Sequence, residues 1–126
     1  MEVGIDLEFA RSDFDGLDIA KRYFFGSELA DIRSGPPDER RKAFFRYWVA
    51  KEAVLKGQGV GLGFPLDQFL VSFTDAQQQE ATVRSMDARR LGEDWFVRML
   101  PSDPAWPAAV TARGTAWSVQ LRHPEG

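Results

Sequence analysis

Cysteine is absent from the 126 residues, and histidine occurs once, as His123. No disulfide framework and no cysteine-based zinc site can therefore be built. His123, beside Pro124 near the carboxyl end, reads as a tail residue, which disfavours a conventional Ser/His/Asp or Cys/His catalytic set. Also missing are an apolar run of about 18 residues and a basic amino terminus followed by an apolar stretch, so neither a membrane span nor a secretory leader is expected. The expectation is a soluble, cytoplasmic protein. Positive charge is not in excess either: 16 Lys and Arg against 19 Asp and Glu leave a formal charge of -3. That balance argues against a nucleic-acid binder whose affinity rests on neutralising phosphates, and it leaves Arg40-Arg41-Lys42 and Arg89-Arg90 as solvated surface.

What is present is enough apolar matter, 44% hydrophobic and 13% aromatic, for one compact domain over residues 1–126. No internal repeat and no linker divides it. The opening Val3-Gly4-Ile5-Asp6-Leu7-Glu8 alternates with a period of two and predicts a strand, with Val3, Ile5 and Leu7 on one face and Gly4, Asp6 and Glu8 on the other. Asp13-Phe14-Asp15-Gly16 is a turn leading into a short helix through Leu17, Ile19, Ala20 and Phe24. As a calcium loop it fails, because Asp18 falls where glycine belongs and Phe24 where the bidentate glutamate belongs. A second short helix starts at Ser27-Glu28, and Ser34-Gly35-Pro36-Pro37 breaks the chain before a long helix from about Asp38 to Lys56 that stops at Gly57. The run Gly57 to Gly63 follows a helix instead of opening one, so it reads as a helix stop and a turn, not as a phosphate cradle. Alternation at Phe69/Val71/Phe73, at Trp95/Val97/Met99 and at Trp117/Val119/Leu121 predicts strands, with another around Ala108–Ala112 and a polar turn at Gln77-Gln78-Gln79. The expected class is α+β: a long helix packed on a mainly antiparallel sheet.

Two distant stretches, Gly4 to Glu8 and Trp48 to Lys56, together offer three carboxylates and two ammonium groups in apolar settings. Two acids on one strand face, roughly 6 Å apart at an effective dielectric of about 20, repel by about 2–3 kcal/mol, so they need a cation or thorough solvation. A wet edge strand satisfies that need as well as a metal-bound pyrophosphate does. On the long helix Phe45, Trp48, Val49, Glu52 and Lys56 share one side, with Lys51 beside Phe44 and Leu55. An exposed Glu52–Lys56 pair, worth about 0.2–0.5 kcal/mol, is the competing structural reading there.

The chain resembles the carboxyl-terminal half of the Sfp-type 4'-phosphopantetheinyl transferases. Three segments carry the likeness: Val3-Gly4-Ile5-Asp6-Leu7-Glu8, then Trp48-x-x-Lys51-Glu52-Ala53-x-x-Lys56, then Gly57-x-Gly59-x-Gly61-Leu62-x-x-Pro65-Leu66-Asp67-x-Phe69. Asp18 to Phe24 is also similar to the family's connecting helix. The resemblance implies transfer of the phosphopantetheine arm of coenzyme A to a serine of an acyl or peptidyl carrier protein. It implies Asp6, Glu8 and Glu52 as ligands of magnesium, with manganese as an alternative. Asp6, Lys51 and Lys56 would meet the coenzyme A pyrophosphate, and Glu52 and Lys56 would be the catalytic pair, Glu52 as the base for the serine proton. Trp48 would wall the site and pack the helix.

Sfp-type enzymes have two similar halves with coenzyme A between them, and here the first motif begins just after Met1. The length is that of the single-module holo-acyl-carrier-protein synthases, which build sites between subunits, while the Asp6-Leu7-Glu8 spelling belongs to the two-module class. A homo-oligomer or a complementary half-module is therefore expected as partner. A non-catalytic half that binds coenzyme A or carrier protein, and a metal-dependent phosphohydrolase, are the rival readings.

Overall fold

The computed structural model describes residues 3–10, 16–59, 66, 69–85, 95–101, 105–114, 117 and 119. In chain order the elements are β1 (Val3–Leu7), α1 (Leu17–Tyr23), α2 (Gly26–Arg33), α3 (Pro37–Gln58), β2 (Phe69–Phe73), β3 (Glu80–Ser85), β4 (Trp95–Met99) and β5 (Ala108–Arg113). The strands form one five-stranded sheet in the order β1-β5-β4-β3-β2, with every neighbouring pair antiparallel. The α+β expectation holds.

Helix α3 organises the molecule. Pro37 opens it, where a missing N–H costs nothing, Asp38 and Glu39 sit in its first turn and Lys56 in its last, and Gly59 closes it at a left-handed φ of 77°. It therefore runs two residues past the expected stop. Gly57 lies inside the helix, and its use is contact: a side chain there would come within 2.9 Å of Gly4 N and 3.1 Å of the Trp95 ring. The reciprocal clash is worse, since a Cβ on Gly4 would stand 1.8 Å from the Ala53 carbonyl oxygen. Backbone thus lies on backbone where α3 crosses β1, and any residue but glycine at position 4 would push the helix off the strand.

The core fills the angle between α3 and one sheet face. Phe69, Val71, Ala81, Trp95, Val97 and Ala109 point in from the sheet, and Val49, Ala50, Ala53 and Val54 meet them from α3, all with at most 2% of their surface exposed. Phe44 anchors the aromatic layer beneath α1, with ring centroids 5.7 Å from Phe24, 5.1 Å from Phe45 and 5.9 Å from Trp48.

On β1 the usual patterning is inverted. Gly4 and Asp6 are buried, while Val3, Ile5 and Leu7 are 48–57% exposed. The acidic face of this edge strand is not wet but lies under α3, because Gly4 admits the helix there. The apolar face continues into exposed Phe9 and Trp106, whose rings pack at 4.9 Å.

Strand β3 was not legible as a strand, since Glu80-Ala81-Thr82-Val83 offers only two inward apolar residues. Trp117 and Val119 are in no strand, and Leu121 lies outside the described residues together with the Asp13–Asp15 turn, His123 and Val60–Pro65 of the glycine run. No helix among the described residues is long and apolar enough to cross a membrane.

Candidate active site

Four of the five residues singled out from the two motifs come together where β1 passes under the last turns of α3. Asp6, on the covered face of β1, is 2% exposed and forms an ion pair with Lys56, whose side chain is 55% exposed. Only Oδ1 of Asp6 takes part. Its Oδ2 is buried and has no hydrogen-bond donor among the described residues. A buried carboxylate oxygen without a donor costs on the order of 1–3 kcal/mol or more, so the native fold leaves an unfilled demand for positive charge at that point.

Glu8 follows β1 on the same side, held by the Glu8 N–H to Pro107 carbonyl bond of 3.1 Å. Burial raises its pKa first. The neighbouring Asp6 charge, and a hydrogen bond the two carboxyls share only when one is protonated, raise it further, while a hydrogen bond from Trp48 and the Lys56 charge oppose the rise. Glu52, four residues before Lys56 on α3, is likewise raised, by burial and then by the charges of Asp6 and Glu8, with Lys56 opposing. Lys56 is pushed up by its hydrogen bond to Asp6, with the charges of Asp6, Glu52 and Glu8 adding to it against the effect of burial. The four groups thus feel one another: three acids crowded around one lysine.

No group of three acids or histidines among the described residues stands in ready-made metal geometry. The donor set nonetheless suits a hard divalent cation. It is all oxygen, two of its members have pKa values raised by burial first and by neighbouring negative charge second, and one buried oxygen lacks a donor among the described residues.

Lys51 is placed elsewhere. Its side chain is fully buried, and its Nζ lies 2.8 Å from Glu28 Oε1 while donating to the carbonyls of Leu66 at 2.6 Å and Phe69 at 2.8 Å. An ammonium has three N–H donors, and three acceptors surround this one. The rings of Phe24, Phe25 and Phe69 lie 4.8–5.5 Å from it. The structure does not bring the Lys51 ammonium to the acid cluster, because its direction on α3 is into the core, toward α2 and β2. Trp48 stands as expected, half-buried against Phe44 and hydrogen-bonded to Glu8.

Glu28 went unrecognised in the sequence. It is 1% exposed, its Oε1 also caps Phe25 N–H at 2.9 Å, and its Oε2 accepts Val71 N–H at 2.9 Å. The only trace it leaves in the sequence is a glutamate in the first turn of a short helix.

Comparison with known proteins gives one consistent answer. Residues 2–111 match the model of the 4'-phosphopantetheinyl transferase superfamily. Among curated proteins, the 4'-phosphopantetheinyl transferase HetI of Nostoc sp. is 34% identical over 97% of this chain and 48% of its own length. The 4'-phosphopantetheinyl transferase Sfp of Bacillus subtilis is 31% identical over 87% of this chain and 46% of its own length. The chain spans about half the length of these curated relatives. The crystal structure of Thermotoga maritima holo-[acyl-carrier-protein] synthase superposes with a TM-score of 0.64 at 20% identity, covering 90% of this chain and 62% of that one, which shows a shared fold.

Proposed function

Because this chain belongs to the 4'-phosphopantetheinyl transferase superfamily, we propose that it carries the metal-binding half of a site that transfers the 4'-phosphopantetheine arm of coenzyme A to a serine of an acyl or peptidyl carrier protein. The observation that carries this reading is the crowding of Asp6, Glu8 and Glu52 around Lys56, with one buried Asp6 oxygen lacking a donor.

Asp6, Glu8 and Glu52 would hold the divalent ion, magnesium or manganese, with waters and phosphate oxygens completing its shell. Once bound, that ion neutralises pyrophosphate charge and steadies the leaving phosphate. The half-exposed Lys56 ammonium supplies further positive charge to the phosphoryl oxygens as it swings from Asp6. The serine oxygen attacks the phosphorus that bears the pantetheine arm, the bond from that phosphorus to the leaving phosphate breaks, and adenosine 3',5'-bisphosphate departs. Glu52 accepts the serine proton, directly or through a water. Trp48 fixes Glu8 by hydrogen bond and walls the site. Lys51 acts from below, holding α3 in place through Glu28 rather than touching phosphate.

The exposed stripe of Val3, Ile5, Leu7, Phe9 and Trp106 supports a composite assembly: a second copy or a complementary half-module covers that face and completes the coenzyme A cleft. The cytoplasm, where such carrier proteins are modified, is the compartment this reading assigns. Incubating the chain with coenzyme A, apo carrier protein and magnesium, followed by intact mass measurement of the carrier, tests the reading. An arm added by the wild type and not by Glu52→Gln supports it. No arm under magnesium or manganese, at concentrations where mass in solution shows an oligomer, removes it. Release of adenosine bisphosphate without carrier would favour the phosphohydrolase instead.

A further inference from the structure

A pocket of about 230 Å³ opens at the β4–β5 end of the sheet and is lined by none of the side chains of the acid cluster. Its lining is mixed: Phe45 of α3, Met99 and Leu100 at the end of β4, and Pro107 before β5 supply apolar surface beside Gln79, and the α3 side carries two cations, Lys42 and Arg46. Those two are four residues apart and so stand on one helix face.

The basic side chains around this region have acceptors of their own. Arg40 Nε donates to the Gly35 carbonyl at 3.0 Å, Arg41 pairs with Asp38 at 3.4 Å, and Lys42 reaches Glu39 at 3.6 Å. Arg46 differs. Its Nε is buried and has no hydrogen-bond partner among the described residues. A buried guanidinium N–H left unmet is costly, and the planar fork that carries it matches the paired oxygens of a carboxylate or a phosphate.

We infer that this pocket is a second binding site, which takes a small organic oxyanion: a carboxylate or phosphate monoester attached to an apolar body. Arg46 holds the charged end, Lys42 adds positive charge at the rim, and Phe45, Met99 and Pro107 enclose the apolar part. With a water occupying about 30 Å³ of liquid, the volume suits a body on the order of ten non-hydrogen atoms. The site is distinct from the acid cluster. Arg46 and Glu52 are six residues apart on α3, an axial rise of about 9 Å, and the acids repel the charge that Arg46 attracts. The inference does not rest on phosphopantetheinyl transfer, so either can fail alone.

The test is calorimetric titration of the full chain, without divalent metal, using hexanoate, phenyl phosphate and inorganic phosphate as probes. Amide shifts in 42–46 and 99–101 locate the binding. At least one organic anion binds tenfold or more tighter than inorganic phosphate; which of the two leads identifies the headgroup. Arg46→Met weakens it at least tenfold, Arg46→Lys less, and Asp6→Asn leaves it unchanged. Met99→Trp, which fills the pocket, blocks binding and stands in for Arg46→Met should that variant fail to fold. No binding at millimolar concentrations overturns the inference. So does inorganic phosphate binding as tightly as both organic anions, equal loss in Asp6→Asn, or wild-type affinity in folded Arg46→Met or Met99→Trp.

Discussion

Two lysines five residues apart on one helix each meet a buried carboxylate, and the two pairs are opposites. Lys51 and Glu28 are both wholly enclosed, and the pair's hydrogen-bonding capacity is taken up by backbone groups of α2, β2 and Leu66. Lys56 is half in solvent, its partner Asp6 is buried, and one Asp6 oxygen has no donor. A closed pair has nothing left to offer a ligand; its worth is in tying elements together. An open pair, crowded by Glu8 and Glu52, leaves its lysine half in solvent, and on the proposed function it exchanges Lys56 for another cation without disturbing the core.

The largest expected effect breaks the closed pair. Lys51→Ala leaves Glu28 charged and unmatched in the interior and should cost about 3–5 kcal/mol in urea unfolding. Lys51→Met together with Glu28→Gln should recover part of that loss, since no unpaired charge is then buried. The open pair should respond in activity instead. Asp6→Asn lowers transfer by about 10²–10³-fold, equivalent to about 2.7–4.1 kcal/mol of transition-state stabilisation, while the unfolding midpoint moves little. Lys56→Ala should lower it less, about 10–10²-fold, because a bound cation supplies much of the same charge. A loss of stability in Lys56→Ala as large as in Lys51→Ala would erase the distinction between the pairs.

The smallest effect sharpens it through pH. Glu8 and Glu52 hold protons to higher pH in the folded chain than in the unfolded one. Above their ordinary value of 4.5 the folded state therefore binds more protons than the unfolded, and stability falls as pH rises through their raised values. Glu52→Gln should flatten that fall and leave the chain as stable as wild type or more so at neutral pH, read from urea midpoints between acid and neutral pH. A steeper fall in the variant would show that Glu52 is stabilised, not strained, by its surroundings. Lys56 acts in the same direction at the alkaline end. Its pKa is raised, so its contribution is complete below 10.5 and lost as pH climbs through the folded value.

Much of this was written in local pattern. The period of two over Val3 to Leu7 set the strand, and the helical spacing of Phe44, Trp48 and Leu55 set α3. Gly-x-Asp-x-Glu and Lys-Glu-x-x-x-Lys marked residues that the fold does bring together, in the case of Asp6, Glu8, Glu52 and Lys56. The motif could not separate Lys51 from Lys56. Both are lysines on one helix, and only the packing of α2 and β2 against α3 sends one ammonium inward to Glu28 and leaves the other at the rim. The inverted burial of β1 was hidden for a similar reason, since alternation fixes which residues share a face but not which face a helix will cover.

Residue order alone determined β1, the three helices, the class of fold and the family, though not β3, because backbone periodicity, helix-end chemistry and short motifs are properties of neighbours along the chain. Tertiary structure decided which charges are spent and which are available. That division depends on desolvation and on acceptors contributed by distant segments: Glu28, Leu66 and Phe69 around Lys51, and Gly4 giving way to α3 so that Asp6 is buried beside Lys56 with one oxygen unmet.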